Sequence, residues 1–258
     1  MISPRRVRSV RTIMTEKAYM GITTIGIDGD DTLWHSENYF MLTTDRLVEL
    51  LSPWSEKLES ADGSTSLSRL LDIERRNLNY FGYGVKSFTL SMIETAIEVS
   101  GGEISSDSLS EIMAWGRELI THPVELIDGV EDTVGKLSES YDLLLITKGD
   151  LIHQEAKIAM SGLDKIFGGL EIVSEKDVET YNRVLGRHDV AAEEFVMIGN
   201  SVRSDVLPVL QLGGNAIHVP YEVTWALEIH DDDPEATYSF TTIDSIEKVP
   251  EVLTELQA

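Results

Sequence analysis

The residues able to do chemistry fall in four short groups, widely separated along the chain. Asp28-Gly29-Asp30-Asp31-Thr32 sets carboxylates beside a hydroxyl, and Thr147-Lys148 pairs a hydroxyl with an ammonium. Ser174-Glu175-Lys176 adds a second ammonium, and Gly199-Asn200-Ser201 with Asp205 adds an amide and a carboxylate. Brought together, such carboxylates repel one another unless a hard cation bridges them, and oxygen ligands of this kind suit magnesium. A lysine among them supplies a further positive charge, appropriate for an anionic substrate.

An α/β parallel sheet would gather these groups. Apolar runs at 22–27, 141–146, 170–173, 195–198 and 216–219 have strand length, and polar residues follow each at its carboxyl end. The segments between them repeat at helical spacing. Val130, Val134 and Leu137 form one face. Asp150 caps a helix whose apolar face is Ile152, Ala156, Ala159 and Met160, and Gly162 closes it. Asp177 opens a helix with Tyr181, Val184 and Leu185 inward. Val206, Val209, Leu210 and Leu212 line another, and about 246–256 predicts a terminal helix. In open sheets of this type ligands bind beyond the carboxyl ends of the strands, which is where the four groups stand.

The alternation stops between Asp28 and the second run. Residues 37–124 show only helical faces: Leu47, Leu50 and Leu51; Leu67, Leu70, Leu71 and Ile73; Leu90, Ile93 and Ile97; Leu109, Ile112, Met113 and Trp115. This predicts an all-helical lid over 37–124, inserted after the first strand of a doubly wound core at 21–36 and 125–258.

Composition narrows the partners. The 258 residues carry 21 Lys+Arg against 45 Asp+Glu, a formal net charge of −24, which disfavours nucleic acid and anionic membrane surfaces as partners. No window reaches the ~18 apolar residues of a membrane span. The absence of cysteine excludes disulfides, thiolate metal sites and cysteine nucleophiles. The histidines show no zinc-ligand spacing. A cytoplasmic monomer or homodimer is the default expectation. Residues 1–20 depart from the acidity, with Arg5, Arg6, Arg8, Arg11 and Lys17 against Glu16. They read as a poorly ordered basic tail, or as sequence upstream of a start at Met14 or Met20.

The four groups, in their order, resemble the motifs of the haloacid dehalogenase superfamily, in its phosphatase branch with a helical cap after the first strand. Asp28, Asp30 and Thr32 match its Asp-x-Asp-x-Thr, Thr147 its strand-ending hydroxyl and Lys176 its lysine before a helix. Gly199-Asn200 with Asp205 partly matches its acidic pair. The resemblance runs from about residue 22 to the carboxyl end. It implies a Rossmann-like core and magnesium-dependent hydrolysis of a small phosphorylated metabolite through an aspartyl-phosphate. Asp28 would be the nucleophile and Asp30 the general acid and base. Thr147 and Lys176 would hold the phosphoryl oxygens. Asp28, the main-chain carbonyl of Asp30, Asp205 and Asn200 would hold magnesium. Asn200 stands where the family often has aspartate, which implies weaker magnesium affinity. The superfamily's true dehalogenases lack the second acid and use no metal, so Asp30 favours phosphate esters. A dehalogenase of the same fold, or a phospho-aspartate signalling or binding module, are the alternatives.

Several residues remain open. Lys148 reaches either the substrate or the cap. Lys157 competes for the phosphate-binding role but, mid-helix beside an apolar stripe, is expected to snorkel at the surface. Asp31 points to solvent or caps the following turn. Trp34 and His35 are expected to pack across the entrance, where Trp34 could influence specificity. The loop 80–86 either brings Lys86 to a second anionic group of the substrate or is a packed helix junction, the plainer reading. The acidic stretch 231–235 reads as a solvated loop.

Overall fold

The computed structural model describes residues 21–228 and 238–256; the basic segment 1–20 and the acidic stretch 231–235 lie outside them. The strands are β1 (Thr24–Ile27), β2 (Asp142–Lys148), β3 (Gly169–Val173), β4 (Phe195–Gly199), β5 (Asn215–His218) and β6 (Thr241–Thr242). They form one six-stranded parallel sheet in the order β3-β2-β1-β4-β5-β6. The α/β parallel-sheet expectation is met. The two-residue β6 had no apolar run to announce it.

Alternation along the strands buries both faces. Ile25, Ile27, Leu143, Leu145, Val196 and Ile198 join one apolar layer with Val130, Val134 and Leu137 of α6 (Val130–Ser138). Leu144, Ile146, Phe195 and Met197 join the other with Tyr181, Val184 and Leu185 of α8 (Val178–Arg187). Each fully buried side chain of this size contributes about 1.5–3 kcal/mol. No helix of the described residues is long and apolar enough to cross a membrane.

Between β1 and α6 lie only helices: α1 (Glu37–Leu50), α2 (Ser55–Asp62), α3 (Ser66–Phe81), α4 (Val85–Ser100) and α5 (Ser106–Thr121), with a short 3-10 turn at Ser52–Trp54. They close a hydrophobic cluster of their own around Leu47, Leu70, Met92 and Ile112. Two expected faces are corrected here. On α4, Leu90 and Ile97 are exposed, while Val85, Phe88, Met92, Ala96 and Val99 are buried; α4 packs between α3 and α5, which selects the other side.

The second correction bears on the site. In α7 (Leu151–Ser161), Asp150 accepts the His153 N–H and Gly162 ends the helix at φ 74°, both as expected. Its apolar stripe nevertheless faces out, with Ile152 68% and Met160 49% exposed. The buried face is His153, Gln154, Lys157 and Ile158.

Candidate active site

Strand β1 lies between β2 and β4, with Ile27 level with Leu145 and Ile198. From β1 the sheet grows through β2 and β3 on one side and through β4, β5 and β6 on the other, so Asp28 emerges at the switch point. One cavity of about 150 Å³ there is lined by Asp28, Asp30, Thr147, Lys148, Lys176, Asn200 and Asp205. Folding therefore gathers the four separated groups into one place.

At the centre, the Lys176 ammonium touches Asp28 Oδ1 and lies 2.7 Å from Asp205 Oδ1. All three side chains are buried. Burial raises the Asp28 carboxyl to about 7, with Lys176 lowering it and Asp205 adding to the rise. Burial by itself would lower Lys176, but the two carboxylates outweigh that and hold it above its ordinary value.

Asp205 is placed by an unusual turn. Val202–Val206 is a π-helical segment in which the Leu207 N–H donates to Val202 O, and α9 (Leu207–Gln211) follows. The Asp205 carboxylate accepts the Ser201 N–H at 3.0 Å. It packs over Gly199, where any Cβ would lie 2.2 Å from Asp205 Oδ2, so only glycine admits this approach. Thr32 Oγ1 lies 3.2 Å from Asp28 Oδ2 and 3.4 Å from Asn200 Oδ1. Beside the Lys176 ammonium, the groups around Asp28 that could bind a metal are oxygens, from two carboxylates and an amide, a set that fits a hard cation. Among the described residues no three His, Cys, Asp or Glu side chains are grouped as a metal site; here two carboxylates converge on Lys176.

Asp30 is held by residues that the sequence reading placed elsewhere. Its Oδ1 accepts from Lys157 Nζ at 2.6 Å and from Trp34 Nε1 at 2.5 Å, and its Oδ2 accepts from Gln154 Nε2 at 2.9 Å. Lys157 is therefore not snorkelling at the surface: an apolar count missed a polar stripe whose burial Asp30 makes favourable. Burial would raise Asp30, but Lys157 and these hydrogen bonds prevail and hold its carboxyl below its ordinary value. Trp34 does not line the entrance. It is fully buried under Asp30. His35 hydrogen-bonds Tyr221 at 2.6 Å. Asp31, in the left-handed region at φ 62°, accepts the Ser36 and Glu37 N–H groups and so caps the entry to α1.

Lys148 lines the cavity between the core and Tyr83 of the helical insertion. Its ammonium pairs with Glu228, donates to Ser204 Oγ at 2.9 Å and lies 4.2 Å from the centre of the Tyr83 ring. Glu228 also accepts from Ser201 and Ser204, at 2.5 and 2.7 Å. Lys86 lines neither this cavity nor its neighbour and pairs with Asp150 at 2.9 Å, which agrees with the helix-junction reading of this loop. Glu228 and Gln154 carry no local motif and were missed, while Lys157 was singled out but expected at the surface; the spacing of Gln154 and Lys157 around the helix was the only available signal.

The family described as "Hydrolase: haloacid dehalogenase-like hydrolase" matches residues 22–213. This chain belongs to the haloacid dehalogenase-like hydrolases. A haloacid dehalogenase-like family hydrolase from Xanthomonas campestris is 43% identical with a TM-score of 0.78, over 92% of each chain. Two more distant structures share the fold. A predicted phosphoglycolate phosphatase from Haemophilus somnus 129pt is 14% identical at TM-score 0.58, over 93% of this chain and 99% of that one. A 2-haloacid dehalogenase from Pseudomonas syringae pv. Tomato DC3000 is 20% identical at TM-score 0.57, over 91% and 99%. Among curated proteins, none matches.

Proposed function

We propose that this hydrolase is a magnesium-dependent phosphomonoesterase acting through an aspartyl-phosphate. The observation that carries this reading is Asp30, a second carboxylate lining the same cavity as Asp28 and fixed there by three side chains. A halide leaves without a proton, so dehalogenation has no use for such a group; an alkoxide needs one.

In the first step an Asp28 carboxylate oxygen bonds to phosphorus as the ester P–O bond breaks, and the departing oxygen takes a proton from Asp30. In the second, water bonds to phosphorus, the bond to Asp28 breaks and Asp30 recovers a proton from that water. Lys157, Gln154 and Trp34 favour the ionised carboxylate needed for this second step. Lys176 and Thr147 hold the phosphoryl oxygens, and Lys148 closes the rim. Asp28, Asp205, Asn200 and the Asp30 carbonyl would hold magnesium, which supplies charge compensation between nucleophile and phosphoryl group. The helices of 37–124 act as the cap that excludes bulk water.

Hydrolysis of an aryl phosphate with magnesium, with chelator and in Asp28→Asn tests the reading. Turnover in the first condition alone is expected. No turnover with magnesium would remove the phosphatase assignment, and turnover in Asp28→Asn would remove the mechanism.

A further inference from the structure

We propose that the leaving group of the substrate carries an organic ammonium on an apolar chain, received in a second cavity between the helical insertion and the core. The inference rests on the phosphomonoesterase reading and names its substrate class. This second cavity, of about 300 Å³, is formed by α1, α3, α4 and the segment 223–226. It shares Glu37, Phe40, Tyr83 and Trp225 with the catalytic cavity, so a molecule whose phosphate sits at Asp28 can extend into it.

The walls are aromatic and aliphatic. Phe40 and Phe88 meet edge-to-face with centroids 5.2 Å apart, and Tyr83 and Trp225 do the same at 6.0 Å. Glu37 and Glu74 are the only charged side chains lining it among the described residues. Glu74 is buried and receives a hydrogen bond from the Trp225 side chain. Glu37 has no donor to its carboxylate among the described residues and is opposed by Glu74, Asp31 and Asp30. Among the described residues neither acid has a basic partner in this cavity, and burial with mutual repulsion disfavours their ionised forms; an ammonium brought beside them would favour the carboxylates again, and the ring faces would attract it further.

An independent observation points to a donor-bearing ligand. Gln154 Oε1 is buried without a hydrogen-bond partner among the described residues, and Gln154 lines the catalytic cavity. Its Nε2 donates to both Asp30 Oδ2 and Lys148 O, which leaves Oε1 as an unpartnered acceptor in the catalytic cavity rather than in the second one. A second phosphate or carboxylate has no receptor here. Lys148 and Lys86 are paired with Glu228 and Asp150, and both acids of the cavity would repel it.

The test compares aminohexyl phosphate, hexyl phosphate and phosphooxyhexanoate, equal in chain length and differing in the far group, by kcat/KM with the full chain and magnesium. The ammonium compound is expected to exceed the hexyl compound by about 10-fold and the carboxylate by about 100-fold. In Glu74→Gln the ammonium advantage over hexyl is expected to shrink by roughly 5- to 10-fold. Each ratio is taken on one preparation, so losses of folded protein cancel. Equal or better turnover of the carboxylate, or an advantage unchanged in both Glu74→Gln and Glu37→Gln, overturns the inference while an aryl phosphate is still hydrolysed. Failure to hydrolyse any phosphate overturns both this inference and the phosphatase reading.

Discussion

Lys157 Nζ lies 2.6 Å from Asp30 Oδ1, buried in the wall of the catalytic cavity and 3.3 Å from Ser36 Oγ. A lysine from the middle of α7 thus fixes the carboxyl that stands two residues beyond Asp28. Lys157→Met leaves that carboxyl without its ammonium partner. Aryl phosphate kcat is expected to fall by roughly 10- to 100-fold, with Lys157→Arg recovering part of it. Unchanged kcat in a folded Lys157→Met would remove Lys157 from the machinery.

Gly199 gives the second prediction. A methyl group there would lie 2.2 Å from Asp205 Oδ2 and 2.3 Å from its Cγ, so Gly199→Ala must displace the carboxylate. The magnesium concentration giving half-maximal activity is expected to rise by about 10-fold or more, since one of the two carboxylates proposed to hold the metal moves. A titration that superposes on the wild type would argue that Asp205 does not hold the metal.

Asn200 provides the converse. Its amide oxygen faces the Thr32 hydroxyl at 3.4 Å and brings no charge to the donor set. Asn200→Asp adds one, and several-fold tighter magnesium binding is expected. Calorimetric titration of magnesium into the two proteins measures it directly, and weaker binding in the variant would exclude Asn200 as a ligand.

Glu74 predicts a pH dependence of stability. Burial raises its carboxyl from 4.5 to about 7. A group raised in the folded state contributes stability that is full below its unfolded pKa and is lost as pH rises through the folded one. From this group alone, stability falls by on the order of 3 kcal/mol between about pH 4 and pH 8. Glu74→Gln removes the titration, so its Tm is expected to decline less across that interval. Parallel declines in thermal melts of the two proteins would contradict a buried, uncompensated Glu74.

Much of the site was legible along the chain because it is built from short-range patterns. Asp28, Thr147 and Asn200 each stand just past or at the end of an apolar run, and a parallel sheet must bring the carboxyl ends of its strands together. Asp150 and Asp177 were readable as caps because a cap is a local hydrogen bond, here to His153 and Thr180.

What the sequence by itself determined is therefore the parallel sheet, the helical insertion after its first strand and the oxygen-rich, lysine-bearing cluster at the strand ends. Tertiary structure decided which face of each helix turned inward. On α7 the apolar stripe and the stripe of His153, Gln154 and Lys157 both satisfy helical spacing, and only the position of Asp30 across the cavity makes burial of the second favourable. The same holds for Glu37, Glu74 and Trp225, far apart in the chain and meeting only when the insertion folds over the core. Strand ends and caps depend on neighbours a few residues away, whereas the partner of a buried charge is set by distance in space.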